Sequence, residues 1–350
     1  MLQPSPTRKR RGRLLRSGAA FAVLLAVAGY LAVQYVTGGA PGCKVVSDGD
    51  DRTSYEFTPE QAVNAAAITA VGTARDLPER AVTIALATAL QESSLRNIDY
   101  GDRDSLGLFQ QRPSQGWGEP EEIMDPAYSA GMFYDHLVEV PGYTDLPLTD
   151  AAQRVQRSAF PDAYAKHEPD AALLAAALTG RSAATLTCEG LPGTAPADGT
   201  DETPAKGPHA IRAALVRDFG RDVLQPIGAV VDDGAAARGA SPPPSPATGA
   251  VDESDGRTVT LPVTAGSAPD ADAEAVSGED LERRGWQLAH WAVANASSLR
   301  IERVAYAGRE WTAGSTDSEW HPTGSGSSGG AGGDGGAERG AGAVRITSAR

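Results

Sequence analysis

Ala87–Gly118 reads ATALQESSLRNIDYGDRDSLGLFQQRPSQGWG, and it divides sharply into a helix end and a loop. The helix begins upstream at Asp76-Leu77-Pro78-Glu79. Val82, Leu86 and Leu90 mark a buried stripe, with Ala81, Ala85 and Ala89 beside it. The pattern predicts a helix running to about Ser93, which places Glu92 in its last turn. The negative end of the helix dipole disfavours an ionised carboxylate there, and apolar neighbours disfavour it further by desolvation. A carboxyl group kept protonated near neutral pH is what a general acid needs. Residues 94–120 then show little periodicity and are rich in Gly and Asp. The chain returns at Gly107-Leu108-Phe109-Gln110, where Gly107 permits a close backbone approach and Gln110 offers amide donors and acceptors.

Outward from this stretch, helical signals dominate residues 54–188, which read as all-α. Thr58-Pro59-Glu60-Gln61 is a strong helix start, with a capping threonine, an early proline and glutamine three residues on. Asp125-Pro126 opens a helix through Val138, and two more are expected over 148–160 and 163–178. Residues 189–206 read as a Pro/Gly/Thr linker. Residues 207–350 read as a small α+β module: a helix over 209–219, a strand at 258–263 and a helix capped near Ser277. A hairpin follows at 301–312, turning at Ala307-Gly308, and a last strand at 344–347. Stretches 232–256 and 314–342 read as disordered; residues 324–342 alone hold ten glycines in nineteen. Trp286 and Trp291 are five apart, about 140° around a helix. They do not share a face, and both are assigned to the core.

The chain has 350 residues and a net charge of −14, with 40 glycines and 24 prolines. So much Gly and Pro argues against one compact 350-residue domain. The first 43 residues carry Arg8, Lys9, Arg10, Arg11, Arg13 and Arg16 and no acid, so the remainder is more acidic still. That balance argues against nucleic acid as a partner. Residues 1–16 read as a basic cytoplasmic segment, 17–36 as a transmembrane helix and 37–53 as a spacer. The bulk of the chain is then expected outside the cell membrane, or secreted if the apolar segment is a cleaved signal peptide. In an oxidising compartment Cys43 and Cys188 are expected to pair. Five dispersed histidines and two distant cysteines offer no metal-ligand cluster, so no metal or other cofactor is expected.

Glu92-Ser93 followed by Gly107-Leu108-Phe109-Gln110 resembles the soluble lytic transglycosylase and goose-type lysozyme superfamily. Those enzymes carry a Glu-Ser pair at a helix end and a Gly-Leu-Met-Gln-like motif downstream. The longer wording is similar to lysozyme-like domains of actinobacterial wall enzymes and phage lysins. It includes Asn97, Gly101-Asp102, Gln110-Gln111-Arg112-Pro113, Gly116-Trp117-Gly118, Asp125-Pro126, Phe133, residues 151–158 and residues 161–165. The resemblance covers about 54–188 and implies a mainly helical lysozyme-like fold. It implies cleavage of the β-1,4 bond between N-acetylmuramic acid and N-acetylglucosamine, with peptidoglycan glycan strands as the partner. Carried over, Glu92 is the acid and then the base. Ser93, Gln110 and the Gly107–Phe109 backbone shape the cleft. A hydrolytic route needs a second group, for which Asp99, Asp102 and Asp104 are available; a transglycosylase route does not. The family's late Tyr-Asn motif has no recognisable counterpart, and Tyr143 and Tyr164 are the candidate replacements for its tyrosine.

Each residue also has a plainer reading. Glu92 can be a solvated helix-end carboxylate, the three aspartates turn formers, and Trp117 a packing residue rather than a sugar platform. A non-catalytic wall-binding or scaffolding protein on the same fold is the competing function. Protein partners and the role of residues 207–350 are not legible.

Overall fold

The computed structural model describes residues 42–49, 51–158, 161–190, 207–225, 251–252, 255–263, 277–315, 319–323 and 342–349. The expected transmembrane helix at 17–36 and most of the 189–206 linker lie outside the described residues. Among the described residues, no helix is long and apolar enough to cross a membrane.

The first helix, α1 (Pro59–Ala74), starts as its sequence predicts. The Thr58 hydroxyl accepts from the Gln61 backbone, and the Gln61 side chain accepts in return from Thr58 N–H at 2.8 Å. Helix α2 (Glu79–Ser93) begins at Pro78 with no side-chain cap, and Asp76 instead turns the chain with φ 53°. Every residue from Ala81 to Leu90 of α2 is buried, so the helix is covered all round rather than along one stripe. Its alanines make this possible, because they let neighbouring helices approach on each side. Those neighbours are α1, α4 (Pro126–Val138), α5 (Leu148–Gln156) and α6 (Glu168–Leu178). A short α3 (Pro120–Ile123) precedes α4, whose Asp125 carboxylate caps Ala127 and Tyr128 N–H. The helix expected over 148–160 ends at Gln156, and the one expected from 163 opens as a 3-10 turn, Pro161–His167.

The stretch 54–188 is not all-α. Strand β2 (Ser54–Phe57) and strand β3 (Leu186–Cys188) flank β1 (Cys43–Val46), which forms inside the expected spacer; the sheet order is β2-β1-β3. Cys43 and Cys188 face each other across the β1–β3 pair and form a disulfide. Three short strands with no long alternation leave little local signal. Their pairing is set by contacts far apart in sequence.

After α7 (Pro208–Phe219) comes a mixed region with β4 (Val251–Asp252), β5 (Thr258–Pro262), α8 (Gly278–Ala294), α9 (Ala296–Leu299), β6 (Ile301–Tyr306), β7 (Arg309–Thr312), β8 (His321–Pro322) and β9 (Ala343–Ser348). Its sheet has the order β4-β5-β9-β6-β7-β8. Ala307 and Gly308 both have positive φ at the β6–β7 turn, which suits a two-residue hairpin. Strand β9 joins β5 to β6 at the sheet's centre. Strands β4 and β8 form within stretches expected to be disordered. Each is only two residues long, too short to show a period. The protein is thus mostly helical with a small C-terminal sheet.

The described residues, from Gly42 onward, fall within one compact unit. Helix α8 packs on α1, α6 and β3 as well as on its own sheet. A Cβ on Gly180, just after α6, would run into the Arg283 carbonyl of α8, so only glycine allows this approach. Gln287 donates to Thr73 Oγ1 at 2.6 Å, and Trp320 Nε1 donates to the Leu186 carbonyl at 2.9 Å. His290 is fully buried between the Ala177 carbonyl (2.7 Å) and Thr185 N–H (3.2 Å). A carbonyl only accepts, so Nδ1 carries the proton and Nε2 receives the Thr185 donor. Burial pushes this imidazole down to about 4. Trp286 and Trp291 are both core residues, 3% and 1% exposed.

Candidate active site

Helix α2 ends because Ser94 and Leu95 both turn left-handed, φ 55° and 57°. The Ser94 N–H then caps Leu90 O, and Leu95 folds back into the core. Glu92 is left in the final turn, half-buried at the rim. The buried Tyr164 hydroxyl donates to its Oε1 at 2.7 Å. Gln156 lies close enough to lower the carboxyl's pKa, and its Nε2 donates to the Phe109 carbonyl at 2.7 Å. Burial pushes the Glu92 carboxyl above its ordinary value, and the Tyr164 and Gln156 donors offset part of that rise. The Tyr164 phenol is pushed up as well, by burial and by the neighbouring Glu92 charge.

Ser93 is buried, and its hydroxyl donates to Leu108 O at 2.8 Å, with Ala89 O a further acceptor at 3.1 Å. It therefore fastens the 107–110 turn to the end of α2. Gly107 (φ 73°) is required in that turn, because a Cβ would lie 2.7 Å from the Ile123 carbonyl. The Leu108 and Phe109 side chains are fully buried, with Phe109 stacked on Phe133 at 4.7 Å. They fill the core, while their carbonyls hold Ser93 and Gln156. Gln110 is half-buried, and its amide donates to Gly107 O at 3.3 Å and Tyr100 O at 3.4 Å.

The aspartates of the loop separate into two kinds. Asp104 bonds the Arg112 guanidinium at 2.7 Å and Ser114 N–H at 2.9 Å. Those donors hold its carboxyl well below the usual carboxylate range. It staples the loop to the turn at Pro113–Gln115. Asp99 and Asp102 are exposed. Trp117 is half-buried and meets the His136 ring edge-on at 4.4 Å. Of the two candidate tyrosines, Tyr164 reaches Glu92, and Tyr143 is half-buried near Tyr134. Gln156 was present in the sequence only as part of a longer run; its role depends on how α5 leans on the 107–110 turn, which no local pattern encodes.

Among the described residues no group of His, Cys, Asp and Glu is arranged to hold a metal ion. A groove of about 460 Å³ lies on the C-terminal sheet and contains none of the Glu92 site. Two ion pairs cross it, Arg257 with Glu302 at 3.3 Å and Arg303 with Glu310 at 3.6 Å.

A family profile described as VldE, C-terminal domain, matches residues 263–331. That span holds α8 and strands β6 to β8 and leaves out Glu92. No curated protein matches the chain.

Proposed function

We propose that residues 54–188 form a lysozyme-like domain that cuts the MurNAc–GlcNAc β-1,4 bond of peptidoglycan with Glu92 as its acid and base. We further propose that the apolar segment at 17–36 holds the protein at the cell membrane with the domain outside. The observation that carries the reading is the state of Glu92. It sits at the negative end of α2, its carboxyl is raised by burial, and a buried tyrosine fixes its orientation.

In this reading the Glu92 proton passes to the glycosidic oxygen as the C–O bond on the muramic acid side breaks. Glu92, now ionised, then takes a proton from the incoming nucleophile. If the nucleophile is the sugar's own hydroxyl, the product is an anhydro-sugar. If it is water, the product is a reducing sugar. Asp104 is already committed to Arg112 and Ser114, so a water-activating carboxylate would have to be Asp99 or Asp102. Tyr164 acts through Glu92 by holding its carboxylate in place.

The test is incubation of the full chain with isolated peptidoglycan, followed by mass spectrometry of the soluble fraction. Release of glycan fragments supports the reading. Sedimentation with the wall and no fragments would replace it with a wall-binding protein on the same fold.

A further inference from the structure

We infer that Tyr100 is a sugar-stacking platform on the rim of the Glu92 site, an inference that rests on the glycan-cleaving reading above. Tyr100 is 64% exposed, the most exposed large apolar side chain among the described residues. A single exposed aromatic is ordinary on a protein surface. What sets this one apart is the way its backbone is held.

The Tyr100 carbonyl accepts from the Gln110 side chain, which also bonds Gly107 O. Gly101 lies so close to Gln110 that a Cβ would collide with the Gln110 amide oxygen and come within 2.7 Å of the Ser105 carbonyl. Around it, Gly107 N–H donates to Ile98 O at 2.7 Å, Ser105 N–H to Asp102 O at 3.1 Å, and Leu106 and Gln111 exchange backbone bonds. The same 107–110 turn is tied to the end of α2 by Ser93 and to Gln156 through Phe109. The ring is therefore exposed on a loop built into the Glu92 site rather than on a loose tip.

Through its side chain Tyr100 makes no hydrogen bond or ring contact among the described residues, so the ring's faces are not committed to another aromatic. A flat phenol suits a pyranose, whose ring face is apolar C–H and whose edge is polar. Asp99, Asp102 and Arg103, its near neighbours in sequence, are exposed polar groups that can meet such an edge. The ligand class is a β-1,4-linked amino-sugar strand, with Tyr100 under one sugar and Glu92 at the bond to be cut. Tyr100 binds and positions; it carries no proton in the reaction.

The experiment measures fragment release by the full chain from soluble glycan strands for wild type, Tyr100→Ala and Tyr100→Trp. Tyr100→Ala is expected to raise KM about tenfold with kcat within about twofold, and Tyr100→Trp to restore KM. An unchanged KM in Tyr100→Ala, or no rescue by Trp, overturns the inference. Binding of the same strands to Glu92→Gln and to Glu92→Gln/Tyr100→Ala is read by calorimetry. If wild type cleaves nothing but binding weakens about tenfold on loss of Tyr100, the platform stands and the enzymatic reading falls. Equal binding by the two variants overturns the platform alone. No binding by either, together with no cleavage, overturns both.

Discussion

Replacing Tyr164 by Phe removes one oxygen and leaves the buried ring in place. That oxygen donates to Glu92 Oε1 at 2.7 Å. A hydrogen bond to an ionised group contributes about 1.5–3 kcal/mol, against about 0.5–1.5 kcal/mol to a neutral one. The tyrosine thus favours ionised over protonated Glu92 by roughly 1–1.5 kcal/mol, or about a factor of ten. Burial already pushes this carboxyl upward, and the tyrosine restrains the rise. Without it, the protonated share of Glu92 on the alkaline side should increase about tenfold. If protonated Glu92 is the acid, the alkaline limb of the kcat/KM profile in Tyr164→Phe moves to higher pH. The assay is the rate of fragment release from soluble glycan strands, measured across the acid-to-alkaline range for both proteins. A uniform drop in rate with the limb unmoved would refute the argument that Tyr164 tunes Glu92.

Three further outcomes are expected. The Cys43–Cys188 bond closes a separation of 145 residues, so Cys43→Ser/Cys188→Ser should lose about 5 kcal/mol in the chain-entropy limit; a denaturant midpoint unchanged by the double substitution would show that the bridge constrains nothing. Gly180→Ala places a Cβ against the Arg283 carbonyl at φ 78°, which should cost at least about 2 kcal/mol; urea unfolding reads it, and a neutral effect would contradict the close packing of α8. His290 is held neutral by burial, pushed down to about 4 from 6.5. The unfolded chain binds its proton between those values and the folded protein does not. Stability should therefore fall by about 3 kcal/mol as pH drops through that window, and urea midpoints with the same pH slope in wild type and His290→Asn would sink this assignment.

What was legible in the sequence was local. The Thr58–Gln61 capping box, the Asp125 cap, the Ala307-Gly308 turn and the end of α2 at Ser93 all sit where neighbouring residues dictate. Ser277, expected to cap its helix, does accept from Asp280 N–H. What was not legible depends on distance. Strand β1 is four residues long and exists through partners at 54–57 and 186–188. Strand β9 was visible as a strand, but its central place between β5 and β6 was not. The seating of α8 on α1, α6 and β3 turns on Gly180, whose local sequence marks a helix end but not the helix that packs against it.

The candidate site divides in the same way. Glu92 at a helix end and the Gly107 turn are local features. Tyr164 reaches Glu92 from 72 residues away, and only as one of two candidate tyrosines. Ser93, Gln110 and the Gly107–Phe109 backbone were expected to shape a cleft. In the fold the Ser93 hydroxyl anchors the turn to α2, and the Leu108 and Phe109 side chains fill the core beneath it.

The most direct test of the central claim compares the full wild-type chain with Glu92→Gln on isolated peptidoglycan, with released material read by mass spectrometry. Glutamine keeps an oxygen for the Tyr164 donor and has no acid proton to give. The account predicts glycan fragments from wild type and a loss of about 10²–10⁴-fold in Glu92→Gln. A product one water lighter than the reducing sugar marks transglycosylation, and the reducing sugar itself marks hydrolysis. Equal release by the two proteins would contradict the assignment of Glu92 as the acid.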